Sequence, residues 1–144
     1  MDFEPRLLTE PVTSLEAYVA RRGGQGLTGA RAIGPEAIIQ EVTAAGVRGR
    51  GGAGFPAGVK WRSVASAAGR HRYAVANGAE GEPGTFKDRR LLRTNPYLVL
   101  EGLLISAAAV GATDAYLAVK ASFGPELEAV SGALAEVDAA GWLG

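Results

Sequence analysis

The run GVRGRGGAGFPAGVKW, Gly46 to Trp61, holds six glycines, three cations (Arg48, Arg50 and Lys60), one proline and two aromatic residues, and no carboxylate. So much glycine disfavours an ordinary helix or strand, because each glycine surrenders more backbone freedom on ordering than any other residue. Bare backbone has a use: it takes positive φ and lets a ligand come close. Successive N–H groups turned inward form a nest suited to phosphate, and Arg50 and Lys60 would add charge. The spacing is not that of the P-loop. Gly49-Arg-Gly-Gly-Ala-Gly54 matches G-x-G-x-x-G in letters, but it precedes a strand instead of following one, so it fails the dinucleotide fingerprint in context. A flexible surface loop and an RGG-type RNA contact are the competing readings. Phe55, Pro56 and Trp61 within the run speak against a mere linker.

Outward from this run, the chain alternates strand and helix signals. Ser14 to Arg22 reads as a short helix stopped by Gly23-Gly24, after a loose lead-in over 1–13. Gly34-Pro35 opens a helix with Ile38, Ile39 and Val42 on one stripe, and Gly46 closes it. Beyond the glycine run, Tyr73 to Ala76 reads as a short buried strand halted by Asn77-Gly78. Gly81 to Lys87 is a loop, and Asp88 to Arg93 a helical turn. Asn95-Pro96 opens a helix, and Leu98 to Val110 is apolar nearly all round, which predicts burial. Ala115 to Lys120 is a second strand. Pro125 to Ala140 is a last helix with Leu127, Val130, Leu134 and Val137 on its apolar stripe. Strand, helix, strand, helix with short connections predicts an α/β fold with parallel strands, the domain covering 14–144.

The bulk numbers narrow the function. Fifteen cations balance fifteen anions, so no basic excess points to nucleic acid or an anionic membrane. There is no cysteine and a single histidine, His71, which excludes disulfides and a cysteine-ligated cluster, or a multi-histidine metal site, within these residues. No metal ligands are assigned. The opening MDFEPRLLTEPV is acidic and broken by prolines, unlike a signal peptide. The longest apolar stretch, Leu98 to Ala112, is shorter than the roughly 20 residues a membrane span needs. The expectation is a cytoplasmic protein with no membrane insertion of its own.

A second polar glycine loop, Asn77-Gly-Ala-Glu-Gly-Glu-Pro-Gly84, follows the first strand, at the carboxyl end where α/β sheets take ligands. With Gly49 to Pro56, Lys60-Trp61, Asn77 to Arg89 (NGAEGEPGTFKDR), Asn95-Pro96 and Glu101-Gly102, the order and spacing resemble the NADH- and FMN-binding flavoprotein subunit of respiratory complex I. The same module occurs in NAD-reducing hydrogenases and NAD-dependent formate dehydrogenases. The resemblance runs from about Ser14 to Gly144 and implies a Rossmann-like FMN-binding domain with a parallel sheet, incomplete at the C-terminus.

What that resemblance implies is an NADH dehydrogenase flavoprotein: NADH gives a hydride to FMN, and electrons pass singly to iron–sulfur partner subunits. Gly49, Arg50, Gly51 and Gly52 would line the flavin, with Lys60 at its phosphate. Gly51, Gly52 and Ala53 would approach NADH, with Phe55 on the adenine. Asn77 and Glu80 match flavin-side positions. Glu82 matches a carboxylate near the NADH ribose, disfavouring the extra phosphate of NADPH. No residue is assigned a catalytic role, since hydride transfer to flavin needs no general acid on the substrate.

Three departures stand out. Ala79 replaces an aspartate usual in complex I relatives; Asn77-Gly-Ala-Glu80 instead resembles the ion-translocating ferredoxin:NAD oxidoreductase subunit. Ser63 replaces an adenine-stacking phenylalanine. The family also continues with a further strand, a Cys-Gly-Glu-Glu segment, a ubiquitin-like domain and a helical domain whose cysteines hold a [4Fe-4S] cluster, which these residues cannot ligate. The expectations are therefore an isolated chain that is inactive, prone to associate and exposing apolar surface on its last helix and sheet edge. A non-catalytic flavin- or nucleotide-binding remnant is the alternative. Two solvated loop carboxylates are the competing reading of Glu80 and Glu82. Glu101, in an apolar helix, calls for a partner such as Arg89 or Arg90. Trp61 reads as a packing anchor, and Lys87 to Arg90 as a solvated helix start.

Overall fold

The computed structural model describes residues 10–50, 53–69 and 71–143. In chain order the described elements are α1 (Leu15–Ala20), α2 (Gln25–Ile33), α3 (Pro35–Ala44), α4 (Ala57–Ala65), β1 (Tyr73–Asn77), α5 (Lys87–Thr94), α6 (Pro96–Val110), β2 (Asp114–Ala118) and α7 (Gly124–Ala139). β1 and β2 pair as a two-stranded sheet. Thr113 N–H donates to Arg72 C=O and Gly78 N–H to Ala118 C=O, both at 2.8 Å. Residue numbers rise together along the two strands, so the pairing is parallel, and the fold is α/β as expected. Among the described residues no helix is long and apolar enough to cross a membrane.

Local chemistry explains three of the seven described helix starts. The Ser14 side chain accepts a hydrogen bond from Ala17 N–H and caps α1. Gly34, at φ 82°, turns the chain into α3, whose first position is Pro35. Asn95 Oδ1 accepts from Leu98 N–H and caps α6.

The chain divides into two compact units. The first comprises residues up to Gly24, Val75–Glu101 and Leu117 onward. Its core is Val12, Tyr18, Tyr97, Leu100, Ala133 and Val137, with Leu15, Leu117 and Trp142 packed on it. The Tyr18 and Tyr97 rings stack at 5.7 Å between centroids. Burial, then the Glu136 carboxylate, pushes the Tyr97 hydroxyl up to about 12. The second unit comprises Gln25–Ala74 and Gly102–Tyr116. Its core is Ala30, Ile38, Ile39 and Ala109, with Val42, Trp61 and Ile105 partly buried around it, so Trp61 is the packing residue expected.

Several expectations need correction. The lead-in is not wholly loose: Val12 is buried and its N–H donates to Thr94 C=O at 2.8 Å, while residues 1–9 lie outside the described ones. β1 is not a buried strand, since Tyr73 and Val75 are more than half exposed and only Ala74 is buried. Tyr116 on β2 is also exposed, so apolar strand surface faces solvent as anticipated. On α7 the buried positions are Glu126, Val130, Ala133 and Val137, whereas Leu134 is exposed. Small Ala133 takes the core position because α7 packs closely on α1 and α5. Residues 88–93 form not a single turn but most of α5.

Glu101 is buried, and its carboxylate accepts from Tyr18 Oη at 2.5 Å and Gly24 N–H at 2.9 Å. Neither Arg89 nor Arg90 pairs with it. Arg89 and Arg93 instead hold Glu126, which is fully buried, through their Nε atoms at 2.9 and 3.0 Å from Oε1. Burial pushes the Glu126 carboxyl up, but the hydrogen bonds from Arg89 and its own backbone and the charges of Arg89 and Arg93 hold it below its ordinary value.

Candidate functional site

The glycine loop lies in the second unit and is closed at its neck. Arg48 and Pro56 form an isolated antiparallel bridge. Gly49 N–H donates to Phe55 C=O and Ala57 N–H to Val47 C=O, both at 2.9 Å. The Arg48 guanidinium adds a bond to Gly54 C=O at 3.1 Å. Gly54 sits at φ 57°, where a side chain would be strained. Of the expected contact residues, Gly49, Arg50, Ala53, Phe55 and Lys60 are described and exposed. Gly51 and Gly52 lie outside the described residues.

The neck delivers the chain straight into α4. Pro56 occupies the N-cap, so no side chain caps the first turn, and that turn holds no acid. A helix start of this kind offers N–H groups and the positive end of the helix dipole to an anion. Lys60 adds a cation there and makes no ion pair among the described residues. Phe55, at the mouth of the loop, is 54% exposed, which leaves a ring face available for stacking.

Close packing holds α4 in place. A Cβ at Gly58 would lie 2.0 Å from Thr43 Oγ1 and 3.0 Å from Thr43 Cα. Glycine at the second helical position therefore lets α4 lie directly on α3. α4 is not among the helices expected from the sequence, although Val59, Trp61, Val64 and Ala65 follow the loop at helix-compatible spacing.

The second loop lies in the first unit. Asn77 Oδ1 accepts from Ala79 N–H at 3.0 Å, an Asx turn that shapes the chain leaving β1. Glu80 is buried, not solvated. Its Oε1 accepts from Lys87 N–H at 2.9 Å and from Lys87 Nζ at 3.3 Å, and Oε2 from Arg89 N–H at 3.5 Å. It thus serves as the carboxylate at the start of α5, whose N-cap, Phe86, offers no side-chain acceptor. Burial pushes the Glu80 carboxyl up, but hydrogen bonds from Thr85, Lys87 and the backbone of Asp88 and Arg89 hold it below its ordinary value. Lys87 is raised in turn by Asp88 and Glu80, so neither it nor Arg89 belongs to a merely solvated helix start.

Glu82 is exposed, and its carbonyl accepts from Thr85 N–H and Thr85 Oγ1 at 3.2 and 2.8 Å. Gly78 has to be small: a Cβ there would meet Leu92 Cδ1 at 2.9 Å and Ala118 O at 3.3 Å. Lys120 was not singled out in the sequence. It stands just past β2, and a Cβ on Gly81 would lie 4.0 Å from its Nζ. The signal for it was its position at the carboxyl end of a parallel strand. Among the described residues no group of acids and histidine is placed to hold a metal ion.

In an α/β fold, the glycine loop feeds an uncapped helix start in one unit, and a carboxylate-bearing loop leaves the carboxyl end of a parallel strand in the other. The chain belongs to the Nuo51 FMN-binding domain family, whose sequence model matches residues 42–142. It is 40% identical to an NADH-quinone oxidoreductase subunit of Rhizobium meliloti (strain 1021), over 99% of this chain and 35% of that protein. Identity is also 40% to the corresponding NADH-quinone oxidoreductase subunit of Aquifex aeolicus (strain VF5), over 92% of this chain and 31% of that protein. The chain thus spans about a third of the length of these relatives. Among solved structures, a chain of the NAD+-reducing [NiFe]-hydrogenase in the H2-reduced state is similar, with a TM-score of 0.61 and 46% identity over 67% of this chain and 18% of that one.

Proposed function

We propose that this chain is a cofactor-binding portion of an NADH-oxidising flavoprotein subunit that takes FMN and NADH. The observation that carries the reading is the glycine loop closed onto an uncapped, acid-free helix start with Lys60 in its first turns, inside the family's matched span. The residues fit an anionic nucleotide with a flat ring system. Backbone N–H groups of α4 and the Lys60 ammonium would meet the flavin phosphate, where charge-assisted hydrogen bonds are strong. Gly49, Arg50, Gly51 and Gly52 would lie along the flavin. Gly51, Gly52 and Ala53 would approach NADH, and Phe55 would stack on its adenine.

In the second loop Asn77 and Glu80 are assigned to the flavin side. The hydrogen bonds Glu80 makes to α5 give it a positioning role there, with its charge already spent on Lys87 and the helix start. Glu82, free in solvent, would accept from the ribose hydroxyls and repel a 2′-phosphate, favouring NADH over NADPH. FMN when bound supplies the hydride acceptor and the capacity to release electrons one at a time. The chain has no cysteine, so the iron–sulfur clusters that receive those electrons, including any [4Fe-4S] cluster, belong to other residues or partner subunits.

The test is an FMN titration followed by quenching of flavin fluorescence. Saturable one-to-one binding is expected. Lys60→Ala should weaken it about tenfold or more, since a hydrogen bond to a charged group contributes roughly 1.5–3 kcal/mol. Phe55→Ala should weaken NADH and leave FMN unchanged. A folded chain that shows no quenching at tens of micromolar flavin refutes binding by this portion.

A further inference from the structure

Where the second loop runs into α5, the first unit carries a walled cationic groove on the outer side of that helix. Phe86, Arg90 and Arg93 recur at i, i+4 and i+7, so they line one helical face. With Pro11 and Thr94 they enclose an open cavity of about 520 Å³. The far wall is fixed in place. Val12 N–H is bonded to Thr94 C=O at 2.8 Å, Val12 is buried in the core, and the Arg21 guanidinium holds Glu10 C=O at 3.2 Å.

The groove is chemically unsatisfied. Phe86 is 70% exposed, the most exposed of the chain's large apolar side chains among the described residues. The Arg90 side chain makes no hydrogen bond or ion pair among the described residues. Arg93 gives only its Nε to Glu126, and its side chain stays 46% exposed, so most of its fork is available. Glu126 offsets one of the three arginines of α5, and the face keeps a positive balance.

We propose that this groove docks a carboxylate-bearing segment of a partner polypeptide, an acidic side chain on Arg90 and Arg93 and an apolar or aromatic one against Phe86. The guanidinium fork matches a carboxylate in two-pronged geometry. Aromatic and arginine side chains are the types on which interfaces concentrate their energy. A free phosphate would use the arginines and leave Phe86 in water. The relatives are named as subunits of larger oxidoreductases, which gives such a segment a source. The surface stands whether or not the glycine loop takes flavin.

The test is selection of a random dodecapeptide display library on the folded chain, with Arg90→Glu as counter-target. Arg90 is chosen because its exposed side chain makes no hydrogen bond or ion pair among the described residues. Enriched peptides should carry two or more Asp or Glu beside an aromatic or apolar residue. The synthetic peptide should bind at least tenfold more weakly to Arg90→Glu and to Phe86→Ser, both shown folded by circular dichroism. Its all-amide Asn/Gln analogue should not bind. No acidic enrichment, or binding indifferent to both substitutions, overturns the proposal. So does displacement by millimolar inorganic phosphate with Phe86→Ser unaffected, which makes the groove a small-anion site. Binding to phosphatidylserine vesicles with the same Arg90 dependence, and no peptide enrichment, makes it a membrane contact and overturns it too.

Discussion

Gly58→Ala is the sharpest probe of how the glycine loop is held. Two effects oppose each other. Alanine inside a helix is favoured over glycine by about 1 kcal/mol. Against that, the new methyl would lie 2.0 Å from Thr43 Oγ1 and 3.0 Å from both Thr43 Cα and Cβ, where ordinary contact begins at 3.4 Å. Thr43 is β-branched, and its Oγ1 is already bonded to Ile39 C=O at 2.6 Å, so rotation relieves little. The approach to the Thr43 backbone is beyond the reach of any rotamer. Relief needs α4 to retreat from α3, and overpacking of this kind costs about 1–3 kcal/mol. The upper half of that range applies to so short an approach, leaving a net loss of about 1–2 kcal/mol and a Tm lower by about 3–8 °C. Urea unfolding followed by far-ultraviolet circular dichroism would show it as a lower midpoint with an unchanged slope. Thr43→Ala in the same chain removes the nearest atom and should recover part of the loss, a coupling of about 1 kcal/mol. A Gly58→Ala chain as stable as the parent, or more stable, would mean that helix propensity wins and that α3 and α4 do not meet closely.

Three further outcomes follow from buried polar groups. Tyr18→Phe takes the hydroxyl from the buried Glu101 carboxylate and should cost about 1.5–3 kcal/mol by urea unfolding, with the ring stack on Tyr97 kept. Glu80 and Glu126 both have folded values below 4.5; the stability they contribute is present above that pH and lost as pH falls through the folded values, so Glu126→Gln should flatten the acid limb of a stability–pH profile. Tyr97 is raised from 10 to about 12; the folded state keeps its proton, so stability present below pH 10 should fall by about 2–3 kcal/mol by pH 12, read by tyrosinate absorbance and by unfolding at each pH. Tyr97→Phe should remove that alkaline loss.

The helix starts were legible in the sequence because capping is local. Ser14, Pro35 and Asn95 act on backbone groups within a few residues, and α1, α3 and α6 begin where those residues say. Both strands were legible from short apolar runs ended by turn residues, and the glycine loop from composition alone. α2 and α4 were not, because glycines break their propensity and packing sustains them: Leu27 and Ala30 bury one face of α2, and Gly58 seats α4 on α3.

The partners of the charges were decided only by tertiary structure. Glu80 could be named as a site residue from its loop, but that it caps α5 depends on the chain turning back through Gly84, at φ 79°, to bring Lys87 under it. Arg89, which the sequence suggested for Glu101, went to Glu126, and Glu101 took Tyr18 and Gly24 instead, because burial requires whichever donor lies within reach, and reach is set by how α1, α5 and α7 pack. The groove of Phe86, Arg90 and Arg93 has the same origin. Its helical face can be counted along the chain, but its second wall exists only because Val12, more than eighty residues away, is bonded to Thr94. Local hydrogen bonding and composition can be read in one dimension; the pairing of distant charges requires the fold.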